Sequence, residues 1–523
     1  MERLLPDKTI FNNPLLIYVL IVLFSLKSYS QRTDNYLPIL PDVKFEKTNL
    51  PIIFIDTDGR IIQKDNRILV RMKVINSQIE GENYRDTIAH PNQHFDYDGY
   101  VKIKYRGNSS FRLSDKKPYS IHLVNSDGSK RKASLIGMPE HNDWALLSLY
   151  IDKSMLREAL TFTLAQGYFD YVPRVRYCEL ILDGVYYGVF LLIERIRCGE
   201  GRLDLDKPGD DGEALTGGYL VEIDRNDSPG YTSKYLPVSS DGLTTFENKP
   251  VYFQYKDPDE ENLTDEQKKY LHSQIDVFED ALASPDFKSP ETGYRKHIDV
   301  TSFIDYQLTQ EVTNNCDAYR LSTNLYKCRD NVDSRFKMTI WDFDRAWGKS
   351  RNIGYMTDIW AYQNNDRLTP NDDTFVPFWW SRLMQDDSYV GELKARWAQY
   401  RKGNYSDKHI NETLDSLISE LTVEGALERN NLAWPQWGEY KYPEYYVAES
   451  FDDEVNWLRD WISARLKWMD EQLLSTTFIK NSKMTKNSKE QIYSPIGIRR
   501  KVLSKGINII WTSDGKTIKR IVR

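Results

Sequence analysis

Short segments in which apolar residues alternate with polar ones, or follow one another, fill the first half of the chain. Two of these segments are joined by Asp183-Gly184, which is a strong signal for a β-hairpin. The pattern therefore predicts β-strands over most of this half. The predicted strands are 50–56, 68–74, 100–105, 177–182, 185–193 and 216–224.

From Thr264 onward the apolar residues recur every three to four positions, as they do on one side of an α-helix. An earlier helix is predicted at 152–166, with Asp152 as its N-terminal cap. The chain is therefore expected to have an α+β fold, with a β-rich part followed by a helical part. The later predicted helices are 265–283, 301–312, 376–384, 389–400, 410–421 and 454–474.

Two carboxylates directly follow a strand pattern in the middle of the chain. The segment 336–340 has apolar residues at every second position, and Asp342 and Asp344 come next. Hard cations such as Mg²⁺ prefer oxygen ligands of this kind, and buried carboxylates need a cation or a donor. The stretch 314–348 is therefore interpreted as the active centre. The alternative is that both residues only cap a turn or the following helix.

A second group of polar residues lies where the strand 100–105 ends. Arg106, Asn108 and Ser109 belong to a flexible turn that is rich in hydrogen-bond donors. Such a turn can bind phosphate oxygens through amide, hydroxyl and guanidinium groups. A plain turn without a ligand is the alternative interpretation.

Two neighbouring lysines follow this turn. Lys117 is expected to share a strand face with Tyr119 and Ile121, where an ammonium group needs an anion such as a phosphate or a carboxylate. Lys116, on the opposite face, is expected to be solvated. The alternative for Lys117 is an ordinary surface lysine whose stem packs on apolar neighbours.

The amino terminus has the pattern of a secretory signal peptide. Arg3 and Lys8 precede an apolar run at 15–26, and Ser30 precedes the expected cleavage point. The run is shorter than the roughly 20 apolar residues that span a bilayer, so we expect no transmembrane span in the mature chain. The protein is therefore expected to be exported, to the periplasm, the cell surface or the medium. An uncleaved amino-terminal anchor is the alternative.

Charge is distributed unevenly along the chain. The formal net charge is −7, but the tail from Lys480 has twelve Lys or Arg residues against two acidic ones, which is about +10. The rest of the chain is then about −17. Binding to a phosphate backbone needs a basic surface, so an acidic body argues against nucleic acid as a partner.

The four cysteines show no CxxC pair of the zinc-binding type. Two disulfides are compatible with an exported protein: Cys178 with Cys198 would join the ends of the predicted hairpin, and Cys316 with Cys328 would brace the acidic stretch. Four buried free thiols are the alternative.

Five short motifs, taken in order, carry a family resemblance. They are Arg106-Gly107-Asn108-Ser109-Ser110, Lys116-Lys117-Pro118-Tyr119, Asp152 to Arg157, Leu182 to Val189, and Trp341-Asp342-Phe343-Asp344. Together they resemble the spore coat protein H (CotH) kinase family, and the similarity extends from about residue 50 to about residue 474. The resemblance implies an atypical, secreted protein kinase that uses ATP and Mg²⁺ or Mn²⁺ to phosphorylate Ser or Thr of a protein substrate.

The resemblance also implies a domain organisation. A diverged protein-kinase-like domain would occupy 99–475, with a β-rich N-terminal lobe and a helical C-terminal lobe. A signal peptide at 1–30 and a small β-rich unit at 31–98 would precede it. The basic tail, 476–523, resembles C-terminal sorting modules of exported proteins from certain Gram-negative bacteria; a basic hairpin that packs on the acidic body is the alternative.

By the same resemblance, Asp317 is the catalytic aspartate that accepts the proton of the substrate hydroxyl. Asp342 is a metal ligand, and Asn324 is the second. Asp344, where ordinary kinases have the Gly of the DFG motif, is included in the predicted metal site. The separation of Asp317 and Asn324 is two residues longer than in the usual HRDxxxxN motif.

The nucleotide contacts are implied in the same way. Lys117 would neutralise the α- and β-phosphates, and the turn from Arg106 to Ser109 would cover them. Arg157 would be a further phosphate contact. Glu194, at the end of the hairpin, would lie near the adenine or ribose.

Two other functions are compatible with the sequence. A catalytically inactive surface or adhesion protein could retain the same fold, and 13 Trp and 34 Tyr residues leave room for a glycan-binding face. An enzyme that transfers AMP or hydrolyses phosphate would also keep the nucleotide site.

Overall fold

The computed structural model describes residues 38–77, 82–369 and 371–475, together with four strands between Gln491 and Val522. These residues form two compact units, one up to Met469 and one from Asp470 onward. The predicted signal peptide, 1–30, lies outside the described residues.

The described part of the first unit has eleven strands up to Glu194, with two helices between them. Seven of them close into a barrel in the order β10, β11, β9, β6, β5, β3, β2, and only the contact between β10 and β2 is parallel. The strands are β1 (Lys47–Thr48), β2 (Ile52–Asp56), β3 (Ile68–Ile75), β4 (Asn83–Tyr84), β5 (Phe95–Tyr105), β6 (Tyr119–Val124), β7 (Ala133–Leu135), β8 (Met138–His141), β9 (Asp143–Leu147), β10 (Val175–Leu182) and β11 (Val185–Glu194).

The barrel interior is filled by every second residue of its strands. Val101, Ile103 and Tyr105 on β5 are buried in one core together with Ile121 and Leu123 on β6. Successive side chains of a strand point to opposite faces, so the residues between them face outward. The outer face of β5 and β6 is therefore available to line a cavity.

The predicted small unit at 31–98 is not separate from the following domain. Its proposed boundary falls inside β5 (Phe95–Tyr105), and β2 and β3 are two of the seven barrel strands. An alternating pattern shows that a strand is half-buried, but it does not show which strand lies beside it. The sequence could not reveal that these strands close the barrel.

A second, five-stranded sheet follows, in the order β13, β14, β12, β15, β16. β12 and β15 are neighbours and β16 is paired with β15, so the acidic residues at the ends of these three strands lie close together. The strands are β12 (Tyr219–Ile223), β13 (Gly230–Thr232), β14 (Tyr252–Asp257), β15 (Thr323–Lys327) and β16 (Phe336–Thr339).

Helices dominate the remainder of the unit. α4 is largely enclosed, with Phe303, Tyr306 and Leu308 buried, and it packs on β16 and α7. The helices are α1 (Ser109–Leu113), α2 (Arg157–Ala165), α3 (Asp265–Ala283), α4 (Val300–Thr313), α5 (Asp330–Asp333), α6 (Trp379–Leu383), α7 (Asp387–Tyr400), α8 (Asp407–Thr422), α9 (Ala426–Ala433) and α10 (Phe451–Leu473).

One predicted helix starts later than expected. α2 begins at Arg157 with Leu156 as its N-cap, so Asp152 does not cap it. The Asp152 carboxylate instead accepts hydrogen bonds from Ser154 Oγ at 2.7 Å and from the Arg157 backbone N–H at 2.9 Å. It thus closes the turn that leads into the helix.

The structure confirms the α+β class and the order of a β-rich part before a helical part. It has a closed barrel where the resemblance implies a kinase-like N-terminal lobe. The division into two kinase-like lobes stays a prediction.

The second unit contains β17 (Gln491–Tyr493), β18 (Arg499–Arg500), β19 (Gly506–Trp511) and β20 (Thr517–Val522). They form one antiparallel sheet in the order β18, β17, β19, β20. None of the helices in the described ranges has the length and apolar character to cross a bilayer.

The four cysteines are free thiols. Cys178 and Cys316 are buried, whereas Cys198 and Cys328 are half-buried. Neither of the two disulfides considered from the sequence is present. The alternative of free thiols holds, although only two of the four are fully buried.

Candidate active site

A cavity of about 1210 Å³ lies between the outer face of the barrel and the acidic ends of the five-stranded sheet. The barrel side contributes mainly cations and hydrogen-bond donors. The sheet side and α2 contribute mainly carboxylates. The cavity thus has two walls of opposite charge. Of the ten predicted site residues it contains Arg106, Asn108, Ser109, Asp317, Asn324, Asp342 and Asp344.

Asp342 and Asp344 lie just beyond the end of β16. Asp342 has a φ of 66°, a left-handed conformation that is costly for a residue with a Cβ and is often found at functional positions. Its side chain is exposed to the cavity. The surrounding protein atoms displace water from the carboxylate, and this loss of hydration is the main cause that raises the pKa of Asp342 to about 7. The negative charges of Asp344 and Asp317 raise it further. Burial likewise raises the pKa of Asp344.

Glu158 on α2 is a third carboxylate at this end of the cavity. It is buried, and its Oε2 atom has no hydrogen-bond partner within the described part of the chain. Burial, with the charges of Asp342 and Asp344, raises the pKa of Glu158 well above its usual range. The three side chains together create a concentration of negative charge that a cation would relieve.

Asp317 lies in the loop that follows α4, where Asn314 ends the helix in a left-handed conformation. The Asp317 carboxylate is 2.9 Å from Nη2 of Arg320 and 3.4 Å from Nη1 of Arg345. Burial alone would raise the pKa of Asp317, but Arg345, Arg320 and Arg225 outweigh it and lower the pKa. The carboxylate is therefore ionised at neutral pH.

Asn324 projects from β15 into the same cavity. Its Nδ2 atom donates to Oε1 of Glu222 at 3.3 Å and to the carbonyl oxygen of Ser322 at 3.0 Å. Because the amide nitrogen makes these bonds, Oδ1 is the atom that can act as a metal ligand. Ser322 Oγ is 3.5 Å from Oδ2 of Asp342, which brings the ends of β15 and β16 together.

The turn after β5 lies on the opposite wall. Gly107 has a φ of 78°, and a Cβ at this position would collide with Ser110 Oγ, so the turn needs glycine. The Arg106 guanidinium stacks on the Trp341 ring at 5.4 Å, one residue before Asp342. The predicted phosphate turn and the predicted metal site therefore meet.

A family model described as CotH kinase protein matches residues 103–469, which is most of the chain. The chain belongs to the CotH kinase family. A search of curated proteins finds no match. The matched range includes all ten predicted site residues.

Three residues that the CotH resemblance singled out do not line the cavity, and Lys117 is the first. Its ammonium donates to the carbonyl oxygens of Phe111 and Ser114, both at 2.7 Å, and lies 4.6 Å from the centre of the Phe111 ring. It thus supports the turn around α1 instead of pointing at the metal end of the cavity.

Arg157 is likewise not placed to contact a phosphate. It is fully buried and pairs with Asp152 and with Glu454, whose Oε1 atom is 2.8 Å from Nη1. On a helix, consecutive residues point about 100° apart. Glu158 therefore faces the cavity and Arg157 faces the packed interior.

Glu194, on β11, is also buried and paired inside the protein. It is fully buried, accepts the Arg174 backbone N–H at 2.9 Å and pairs with the Arg174 guanidinium. Its neighbours Ile193 and Arg195 line the cavity. Strand alternation explains why they do and Glu194 does not.

Several cavity residues were missed by the sequence reasoning. Glu222 and Asp224 end the predicted strand at 216–224, and Lys256 Nζ lies 2.5 Å from Oε2 of Glu222. Burial, with the charge of Glu222, raises the pKa of Asp224 to about 7. The signal was a strand ending in two carboxylates, which is the pattern that identified Asp342 and Asp344.

The oxygen donors of this CotH-family cavity fit a divalent cation that keeps water or phosphate ligands. Within the described residues, no three His, Cys, Asp or Glu side chains converge to hold a metal ion by themselves. Mg²⁺ is usually bound through one or two carboxylates, with waters and substrate phosphates as the other ligands. Asp342 and Asp344, with the Asn324 amide oxygen nearby, match that limited set. The crowded carboxylates and the unpartnered Oε2 of Glu158 also favour a cation here.

Proposed function

We propose that this CotH-family protein is an ATP- and divalent-metal-dependent kinase that phosphorylates Ser or Thr of an exported or cell-surface protein. One observation carries the proposal: Asp317, Asp342 and Asp344 face the Arg106 turn across a single cavity. Phosphoryl transfer is catalysed mainly by positioning and by neutralising charge, so it needs acidic and cationic groups on opposite sides of the reacting phosphate.

Asp317 is proposed as the residue that orients the acceptor. Arg320 and Arg345 hold its carboxylate, and their charges keep it ionised. An ionised oxygen can accept a hydrogen bond from a substrate hydroxyl and take its proton as the phosphate arrives. The two arginines also fix the direction in which this oxygen points.

Asp342, Asp344 and the Oδ1 atom of Asn324 are proposed to hold Mg²⁺ or Mn²⁺. When bound, the cation supplies neutralisation of the phosphate charge. Arg106, Asn108 and Ser109 are proposed to bind the phosphate oxygens from the barrel side. Stacking on Trp341 restricts the orientation of the Arg106 guanidinium.

We also propose that the protein acts outside the cytoplasm and that the mature chain begins at Gln31. The signal pattern at 1–30 supports this. Free ATP is scarce there, so the substrate would be phosphorylated before export or the donor would be another nucleotide. The N-terminal residue of the exported protein, determined by mass spectrometry, tests the cleavage point: Met1 at the terminus would contradict it.

The kinase proposal is tested with γ-labelled ATP and Mg²⁺ or Mn²⁺. The chain from Gln31 is compared with Asp342→Asn and Asp317→Asn, and with Asp460→Asn as a control, because Asp460 is exposed on α10. We expect label in protein for the native chain and the control, and a loss of at least about 100-fold in both site variants.

Thermal melting of every variant separates lost chemistry from lost folding. Label that appears as free phosphate would indicate hydrolysis instead of protein phosphorylation. If the native chain neither binds ATP nor incorporates label with either metal, the kinase proposal is wrong and the binding-protein interpretation becomes the better one.

A further inference from the structure

Three cations from the barrel line the cavity beyond Arg106. Arg67 precedes β3, Lys104 is on the outer face of β5, and Arg195 follows β11. We call these three residues the cationic wall. They belong to three different strands or strand ends of the barrel, and the sequence pattern singled out none of them.

The two guanidinium groups of the wall meet at one hydroxyl. Nη2 of Arg67 is 2.9 Å from Ser120 Oγ, and Nη1 of Arg195 is 3.5 Å from the same atom. Arg67 Nη1 also donates to the Ser120 carbonyl oxygen at 3.0 Å. Ser120 lies on β6, so the barrel itself holds the two guanidinium groups side by side.

Positive charge at the wall exceeds the negative charge beside it. The carboxylate paired with Arg195 is Asp143, at 3.7 Å, and it is also 3.0 Å from Nε of Arg197 and 3.2 Å from Nε2 of His122. One carboxylate is thus shared by two arginines and a histidine, and burial lowers the pKa of that histidine. Burial is the main cause that lowers the pKa of Arg67 to about 10. The negative charge of Asp143 opposes this shift, whereas the charges of Arg195 and Arg197 add to it. An anion in the cavity would relieve this repulsion.

We propose that the cationic wall binds the α- and β-phosphates of the donor nucleotide, in the role that the resemblance gave to Lys117. This inference rests on the proposed kinase function. Planar guanidinium groups can each bind phosphate oxygens through two parallel hydrogen bonds, which an isolated ammonium cannot do. Arg106 lines the same cavity as the wall and stacks on Trp341, the residue before Asp342, so the wall and the proposed metal ligands share one space with Arg106.

The position of the wall favours the nucleotide over the acceptor. The wall and the Arg106 turn both belong to the barrel side of the cavity. Asp317, which would contact the acceptor hydroxyl, lies after α4 on the other side, with Arg345 beside it. A polyphosphate extending from the metal end along Arg106 would therefore reach the wall.

The test measures nucleotide affinity by calorimetry, with the chain from Gln31 in Mg²⁺ buffer. The ligands are ATP, adenosine and inorganic tripolyphosphate. Arg195→Gln is compared with Lys117→Gln and with Lys73→Gln as a control, since Lys73 is a half-exposed lysine on β3 outside the cavity. We expect Arg195→Gln to weaken ATP and tripolyphosphate binding at least tenfold and to leave adenosine binding within twofold. Lys73→Gln should leave all three within twofold, and Lys117→Gln, which removes a support of the turn around α1, should weaken ATP binding less than Arg195→Gln does.

The outcomes separate this inference from the kinase proposal. If the native chain binds ATP and Arg195→Gln binds it equally well, or if Lys117→Gln is the variant that loses ATP, the cationic wall is not the phosphate site and the kinase proposal survives. If the native chain binds tripolyphosphate through Arg195 but binds no ATP, the anion site stands and the kinase proposal fails. Binding of neither ligand overturns both. Should Arg195→Gln not fold, Lys104→Gln provides the same comparison.

Discussion

The Nζ atom of Lys116 lies 2.9 Å from the Oδ1 atom of Asn430, although 314 positions separate the two residues in the chain. The ammonium also donates to the carbonyl oxygen of Val189 and lies 4.6 Å from the centre of the Phe190 ring. It is buried, contrary to the expectation that Lys116 would be solvated. This lysine connects α9 to the barrel strand β11.

Stability is expected to depend on pH through Lys116. Burial lowers its pKa to about 7, whereas a lysine in an unfolded chain titrates near pH 10.4. Between these values the unfolded chain binds one more proton than the folded protein, so the contribution of this lysine to the free energy of unfolding rises with pH. Relative to Lys116→Met, the native protein should gain about 2 kcal/mol between pH 7 and pH 9.

Chemical denaturation at the two pH values measures this difference. In the variant, Asn430 Oδ1 still accepts the Val189 backbone N–H at 3.1 Å, so the contact with α9 is not lost entirely. Lys132→Met, at an exposed position, is the control. If the native protein and Lys116→Met change in parallel with pH, Lys116 does not titrate in this range.

Glu444 is expected to be essential for stability. Its two carboxylate oxygens pair with Nζ of Lys153 at 3.0 Å and Nζ of Lys349 at 2.9 Å, and all three side chains are buried. Glu444→Gln would leave two buried ammonium groups without a full counter-charge, which costs about 3–5 kcal/mol. A large drop in melting temperature is expected for Glu444→Gln and none for exposed Glu449→Gln. Equal melting temperatures would show that the cluster contributes little.

The thiols are expected to react in two classes. Cys178 and Cys316 are buried, and burial raises the pKa of the Cys316 thiol to about 12. Iodoacetamide should therefore label them only after denaturation, whereas Cys198 and Cys328 should react slowly in the folded protein. Intact-mass spectrometry counts the labels. Fewer than four labels in denaturant without reductant would reveal a disulfide.

The strands and helices followed from sequence because each depends on local pattern. The hairpin at Asp183-Gly184 appears as β10 and β11, and the predicted helix 301–312 appears as α4 (Val300–Thr313). Barrel closure could not be predicted, since it depends on β2 pairing with β10, more than a hundred residues later. The alternation of residues within a single strand does not indicate which strand it pairs with.

The difference between local pattern and long-range contacts also explains which site residues could be predicted. Asp317, Asn324, Asp342 and Asp344 come from one short stretch, and the pairing of β15 with β16 brings its ends into one cavity. The placement of Arg157 instead depends on Glu454, a partner 297 positions away. No local pattern could show that this arginine forms ion pairs in the protein interior.

Asp342→Asn is expected to keep or raise the melting temperature in metal-free buffer with a chelator, even as it removes the proposed activity. The substitution removes one of several negative charges that repel each other in the cavity. The gain should be at most about 1 kcal/mol, because Asp342 is exposed to cavity water, which screens the charge. Functional residues often carry such a stability cost. Strong destabilisation of the metal-free variant would mean that Asp342 has a structural role.

Arg157 is expected to affect folding and not nucleotide binding. Its guanidinium is buried between Asp152 and Glu454, so Arg157→Ala leaves two buried carboxylates with Lys349, 4.0 Å from Glu454, as a neighbouring cation, and should cost about 3–5 kcal/mol. Arg157→Lys restores the charge without the planar geometry and should recover part of this loss. Melting temperature and ATP affinity are measured below the melting point of each variant. A folded Arg157→Lys with native stability but at least tenfold weaker ATP binding would contradict this assignment and return Arg157 to the nucleotide site.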